Sequence, residues 1–264
     1  MKHLLFLAPL GALLLASNPA GAQSAFDGTW KIDMNKVAFS QKPDVFFLEN
    51  GMYTCKSCTP AYTIKADGSD QPFTGHPYFD TVAVKVVNDH EIQETDKKAG
   101  KVVITSTSTV SPDGKTLNFV FTDSSDTNGG APVQGKGEAS LVAKGPAGSL
   151  AISGSWKTTR MESLSDNGIT WTYKTSGDEI TMTNPTGQTY TAKLNGPDAP
   201  MKGDPGVSSV SVKTMGNTLT ETDKRKDKVV GILKLTVEPG GKTAKASFTD
   251  ALQNRTTTAV AVKQ

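Results

Sequence analysis

Apolar and polar side chains alternate with a period of two along most of the chain. Residues 82–86 read Val-Ala-Val-Lys-Val, and residues 117–121 read Leu-Asn-Phe-Val-Phe. Such alternation is typical of β-strands that bury one face, and turn sequences such as Asp113-Gly114 separate the apolar runs. Only residues 33–41 could form a short piece of helix. The pattern therefore predicts an all-β fold with roughly nine short strands in each half of the chain.

The strand-rich pattern occurs twice. Residues 94–123 align without gaps with residues 221–250, and sixteen of the thirty aligned positions are identical. Ordinary residue usage would give about two identities by chance. The sequence Gly-Thr-Trp-Lys at residues 28–31 also has a counterpart, Gly-Ser-Trp-Lys at residues 154–157. The chain is therefore predicted to contain two copies of one structural unit.

Two tandem antiparallel meander β-barrels are the predicted architecture. Barrel unit one is expected at residues 26–145 and barrel unit two at residues 150–264, because a Gly-, Pro- and Ser-containing linker lies between them. A long antiparallel meander leaves unpaired edge strands, and closure into a barrel removes them completely. A pair of β-sandwiches is the alternative architecture.

The Gly-x-Trp sequence at the start of each unit resembles the first strand of calycins, the group of lipocalins and fatty-acid-binding proteins. In those families the motif closes one end of an eight- to ten-stranded barrel. More broadly, the chain is similar to lipocalin-like exported bacterial proteins of unsettled function. The resemblance implies barrels that can hold a small ligand. Lipocalins pack an Arg of the last strand over the Trp, and here Arg255 could serve in unit two, whereas unit one contains no Arg.

The N-terminus has the features of a secretory signal peptide. Lys2 and His3 precede an apolar run at residues 4–16 that is too short to cross a bilayer as a helix. The small residues Ala20-Gly21-Ala22 predict cleavage after Ala22, so residues 1–22 are assigned to the signal peptide. We therefore expect a periplasmic or secreted protein, with no membrane span in the remaining sequence.

The charge balance excludes one class of partner. The chain has 28 Lys and Arg residues against 26 Asp and Glu residues, a net charge of +2. Binding to nucleic acid or to an anionic membrane surface requires clustered excess positive charge, so neither is expected. The carboxylates are expected in turns, as solvated charges.

Cys55 and Cys58 are the only cysteines. In an oxidising compartment the expected state is a disulfide, although redox and metal-binding roles stay open. A c-type haem site would need His directly after the second Cys, and Thr59 stands there. A zinc site would need more ligands, and only two histidines follow the signal peptide, His76 and His90. We therefore predict a disulfide, no metal and no cofactor.

No catalytic motif is present, so the protein is not expected to be an enzyme. Aromatic residues of the predicted strands could instead line a ligand pocket, although in strands they more often belong to the core. His76 and Tyr78 lie in an aromatic-rich loop that is either an ordinary surface loop or an entrance at a barrel mouth. The candidate ligand-binding residues are Trp30, Phe46, Tyr53, His76, Tyr78, Phe119, Phe121, Trp171 and Tyr173.

Two functional hypotheses follow from these features. The first is an exported, non-enzymatic protein that binds a small molecule, including an apolar one, inside one or both barrels. The second is a structural or protein-interaction module of the cell envelope that holds no internal ligand.

Overall fold

A computed structural model describes residues 24–264, and the predicted signal peptide lies outside these residues. Strands account for 61% of the structure, and they form two antiparallel ten-stranded sheets, each nearly closed into a barrel. The predicted all-β fold of two tandem barrels is therefore confirmed. Within residues 24–264, no helix has the length and apolar character needed to cross a membrane.

The first barrel is built from ten strands that are consecutive in the chain. They are β2 (Asp44–Glu49), β3 (Met52–Cys55), β4 (Tyr62–Lys65), β5 (Gln71–Pro72), β6 (Thr81–Asn88), β7 (Glu91–Lys98), β8 (Lys101–Val110), β9 (Thr116–Asp123), β10 (Val133–Lys144) and β11 (Gly154–Leu164).

The second barrel combines the first strand of the chain with the last nine. They are β1 (Gly28–Ala38), β12 (Thr170–Ser176), β13 (Glu179–Thr183), β14 (Thr189–Lys193), β15 (Ala199–Pro200), β16 (Ser209–Met215), β17 (Thr218–Arg225), β18 (Lys228–Val237), β19 (Thr243–Asp250) and β20 (Arg255–Lys263). A single 3₁₀ turn, Asp166–Gly168, precedes β12 within the described chain. The expectation of a helical turn at residues 33–41 was wrong, because β1 continues to Ala38 and pairs with β20 through an irregular register.

The two repeats exchange their first strands. Strand β1 of the first repeat lies between β12 and β20, and strand β11 of the second repeat lies between β2 and β10. Each barrel therefore contains the first strand of the other predicted unit, so the barrels do not coincide with units 26–145 and 150–264. The connection after β10 folds back on itself, with the Gly145 N–H donating to the Ser153 carbonyl at 3.0 Å, so β11 enters the sheet beside β10.

Each exchanged strand carries the tryptophan of the Gly-x-Trp motif into the core of a barrel. Trp30 and Trp156 are fully buried. Each indole N–H donates to the carbonyl four residues earlier, Phe26 at 2.7 Å and Ile152 at 2.9 Å. These bonds satisfy the one polar atom of each side chain, as burial of a tryptophan requires.

Arg255 does not cover the tryptophan of the second barrel. Its guanidinium reaches the first barrel instead, where Nη1 lies 2.7 Å from the Asp44 carboxylate and Nη2 donates to the Pro43 carbonyl. Lys263, at the other end of β20, lies over the Trp30 ring with its Nζ 4.8 Å from the ring centroid. The suggestion that Arg255 serves in the manner of the lipocalin arginine was therefore wrong, and a lysine makes the cation–π contact.

Strand exchange can be tested by truncating each tryptophan. We expect Trp156→Ala to weaken amide hydrogen-exchange protection across residues 44–144, and Trp30→Ala to weaken it across residues 170–263. Each substitution should cost the affected barrel about 3–5 kcal/mol, because it leaves a large cavity in a packed core. The exposed Val142→Ala variant is the control and should change stability by less than about 0.5 kcal/mol. If Trp156→Ala instead weakened protection across residues 170–263, and Trp30→Ala weakened it across residues 44–144, the strands would not be exchanged.

Candidate functional site

Each barrel contains an internal cavity of the size that holds a small organic molecule. The first-barrel cavity has a volume of about 380 Å³, and the second-barrel cavity has a volume of about 370 Å³. Both volumes fall in the range of small-molecule sites, about 300–1,000 Å³. The duplicated fold therefore provides two separate candidate sites.

Aromatic side chains form much of the wall of the first-barrel cavity. Phe46, Tyr53, Phe119 and Phe121 line it, together with Trp156. The two phenylalanines of β9 lie against β10, where a Cβ on Gly135 or Gly137 would collide with their rings. The glycines of β10 therefore create the space that these rings occupy.

Two acidic residues of each repeat face the barrel interior. Glu94 and Asp96 alternate along β7 on the same face as buried Ile92, and Glu221 and Asp223 occupy the matching positions of β17. Asp96 is 4% exposed and Glu221 is 6% exposed. The expectation that the carboxylates are solvated in turns was wrong for these four residues. Period-two alternation brings them inside the barrels, as it does the apolar residues of the same strands.

Tyrosine hydroxyls hold both buried glutamates. The Tyr62 hydroxyl donates to Glu94 Oε1 at 3.1 Å, and Tyr190, at the equivalent position, donates to Glu221 Oε2. Tyr173 adds a second hydroxyl donor to Glu221 Oε2, at 3.1 Å. Strand register places Tyr173 where the first barrel has Phe46, so only the second barrel has this extra donor.

Burial raises the pKa of all four interior acids. Removal from water is the largest cause for each, and it raises the pKa of Glu94 and brings that of Asp96 to about 8. In the second barrel, burial and then the neighbouring Asp223 raise the pKa of Glu221 to about 8, while burial raises the pKa of Asp223 to about 6. An acid with a pKa near 8 is mostly protonated at neutral pH, so it can donate as well as accept a hydrogen bond.

The two cavities differ in charge. Five carboxylates line the second-barrel cavity, from Asp123, Asp126, Asp204, Glu221 and Asp223, and no Lys, Arg or His is among its lining residues. The first-barrel cavity has only Asp44 and Glu94, and Asp44 is paired with Arg255.

Each cavity is completed by a loop of the other barrel. The connection between β9 and β10 places Asp126 on the second-barrel cavity, and the connection between β19 and β20 places Gln253 on the first-barrel cavity. Asn128 Nδ2 fixes the first of these loops by donating to the carbonyls of Thr186 at 3.1 Å and Gly203 at 3.0 Å. Each candidate site therefore includes residues of both barrels.

The structure distributes the predicted site residues over four places. Phe46, Tyr53, Phe119 and Phe121 line the first-barrel cavity, and Trp171 and Tyr173 line the second. Trp30 is packed in the core of the second barrel and lines neither interior cavity. His76 and Tyr78 line a cleft of about 250 Å³ between the barrels.

His76 and Tyr78 help to join the barrels. The Tyr78 hydroxyl donates to Asp204 Oδ1 at 2.8 Å, and its ring lies directly on Gly206. His76 stacks on Phe79 with 3.9 Å between ring centroids. Burial, with a smaller contribution from Arg225, lowers the pKa of His76 to about 4, so its ring is neutral at physiological pH.

Cys55 and Cys58 form the predicted disulfide, at the rim of the first-barrel cavity. Within residues 24–264, no group of three or more His, Cys, Asp or Glu side chains could hold a metal ion.

Tyr173 was among the predicted site residues, whereas Tyr62, Tyr190 and the four interior acids were not. The sequence did contain a signal for the interior acids. Glu-Thr-Asp is identical in both repeats, at residues 94–96 and 221–223, and period-two alternation places its first and third residues on one face of the strand. No protein-family model and no curated protein matches the chain. Function is therefore argued from the two cavities and the groups that line them.

The buried acids predict a pH-dependent stability. The Glu221 pKa is raised from 4.5 to about 8, so between these values the folded state holds a proton that the unfolded state has released. Raising the pH through this window therefore favours unfolding, by at most about 1.4 kcal/mol per pH unit for one group. We expect the free energy of unfolding, measured with urea, to fall less steeply with pH in Glu221→Gln than in the wild type. The surface variant Glu49→Gln is the control, and an unchanged slope in Glu221→Gln would contradict the assignment.

Proposed function

We propose that the protein is an exported, non-enzymatic carrier or receptor that holds a small molecule inside its barrels. The observation that supports this function most directly is the pair of interior cavities, each with an aromatic wall and a buried acid held by tyrosine. Apolar walls with a few placed polar groups are characteristic of small-molecule sites, where the polar groups orient the ligand. The signal-like N-terminal sequence supports export.

The raised pKa values of Glu221 and Asp223 also suit acid–base catalysis, which is the second candidate function. Binding is favoured because the tyrosine–glutamate contact recurs in both barrels, although the cavity walls differ. Because the same contact occurs in two cavities with different walls, it fits a role in organising the barrel interior. A catalytic pair would be expected in one cavity that is shaped for one substrate.

Cavity-filling variants test the proposal. The full-length mature protein would be incubated with an extract of the producing cells and examined by native mass spectrometry. We expect one adduct per occupied cavity. Ser108→Phe should abolish the first-barrel adduct and Leu233→Trp the second-barrel adduct, because each places a large side chain in the cavity that its residue lines.

Val142→Phe is the matched control, since Val142 is 57% exposed and lies outside both cavities. A wild-type protein without adducts, or adducts that survive both cavity-filling substitutions, would overturn the proposal. Adducts that change mass with time, in a manner lost in Glu221→Gln, would favour catalysis instead.

A further inference from the structure

We infer that the second-barrel cavity takes an organic cation, a molecule with a positively charged nitrogen and an apolar body. This inference rests on the proposed binding function and specifies the ligand chemistry of one barrel. It follows from the charge of the cavity, from an unpartnered aromatic donor, and from the contrast with the first barrel.

The carboxylates of this cavity have only neutral hydrogen-bond donors as partners. Asp126 accepts from the Gln188 amide, Asp204 from the Tyr78 hydroxyl, and Glu221 from two tyrosine hydroxyls. No Lys or Arg forms an ion pair with any of its five acids in the described structure. Oδ1 of Asp223 is buried without any partner. A ligand cation would supply a counter-charge that no Lys or Arg side chain provides.

Trp171 gives an independent sign of a ligand. Its side chain lines the cavity and is only 9% exposed, yet its buried indole N–H has no acceptor. Phe248 meets it edge to face, with 6.2 Å between ring centroids. Aromatic faces beside carboxylates are typical of sites for ammonium groups. The indole N–H is itself a donor, so its missing partner is an acceptor or an aromatic face on the body of the ligand and not the charged nitrogen.

The first barrel has the same fold but lacks this combination of unpaired acids and a free indole at its cavity. Strand register places Asp44 of the first barrel at the position of Trp171, and Arg255 already neutralises the Asp44 carboxylate. In the ungapped repeat alignment, Gln253 occupies the position of Asp126, and each lines the cavity of the other repeat's barrel. The larger number of acids on the cavity wall and the free indole are therefore specific to the second barrel. An unpartnered carboxylate oxygen is not, because Oδ1 of Asp96 is also buried without a partner.

Three probes of matched shape test the inference by isothermal titration calorimetry on the full-length mature protein. They are 4-phenylbutylamine, the neutral isostere pentylbenzene and the anion 5-phenylpentanoate. We expect the amine to bind the second barrel at least tenfold more tightly than either of the others. Leu233→Trp should abolish this binding, which would place it in the cavity.

Asp223→Asn and Asp126→Asn should each weaken amine binding at least tenfold without changing the affinity for pentylbenzene. Asp89→Asn, on an exposed turn, is the matched control. Circular dichroism would confirm that each variant is folded, and the Asp126 variant keeps the test valid if the Asp223 variant does not fold.

If pentylbenzene or the anion bound as tightly as the amine or more tightly, and Leu233→Trp blocked this binding, the cation assignment would be overturned. The proposed binding function would then remain intact. Amine binding that both aspartate variants retain, or that occurs only in the first barrel, would overturn it as well. Absence of binding by all three probes, together with a wild-type protein that carries no adduct from the extract, would overturn both proposals.

Discussion

The exchanged first strand is the feature on which both barrels depend. Strand β1 pairs on both sides within the second barrel, and β11 does the same within the first, so removing either would leave two unpaired edges in the middle of a sheet. Trp30 and Trp156 add a large buried surface at the same place. The first barrel is thus inserted between β1 and β12 of the second. Attachment at both of its ends holds its β9–β10 loop near the second-barrel cavity.

Closure of the barrels also buries the interior acids, and their burial has an energetic cost. An ionised carboxylate inside a barrel is unfavourable, and burial raises the pKa of Glu94 and brings that of Glu221 to about 8. Glu221 is therefore mostly protonated at neutral pH, which reduces the cost of burying it. Tyr62 and Tyr190 then supply hydrogen bonds that water would otherwise provide. In the second barrel the same arrangement leaves Glu221 able to lose its proton and become negative when a cation enters the cavity.

Period-two alternation and the internal repeat were sufficient to predict the all-β fold and its two barrels. They could not predict the strand exchange, because the sequences around Trp30 and Trp156 are nearly the same and fit either barrel. Burial of Glu94 was missed because composition alone associates acids with solvent, although Ile92 already defined the inward face. His76 was predicted either in an ordinary surface loop or at an entrance at a barrel mouth, and it lies between the barrels. The position of one barrel against the other leaves no local pattern in the sequence.

Exchange also explains how the two sites came to differ. Asp126 belongs to the first repeat but lines the second-barrel cavity, and Arg255 belongs to the second repeat but neutralises Asp44 beside the first-barrel cavity. A substitution in one repeat therefore changes the electrostatics of the other repeat's cavity while leaving its own barrel wall intact. Neither repeat contains a complete candidate site by itself, so the proposed ligand-binding unit is the pair of barrels.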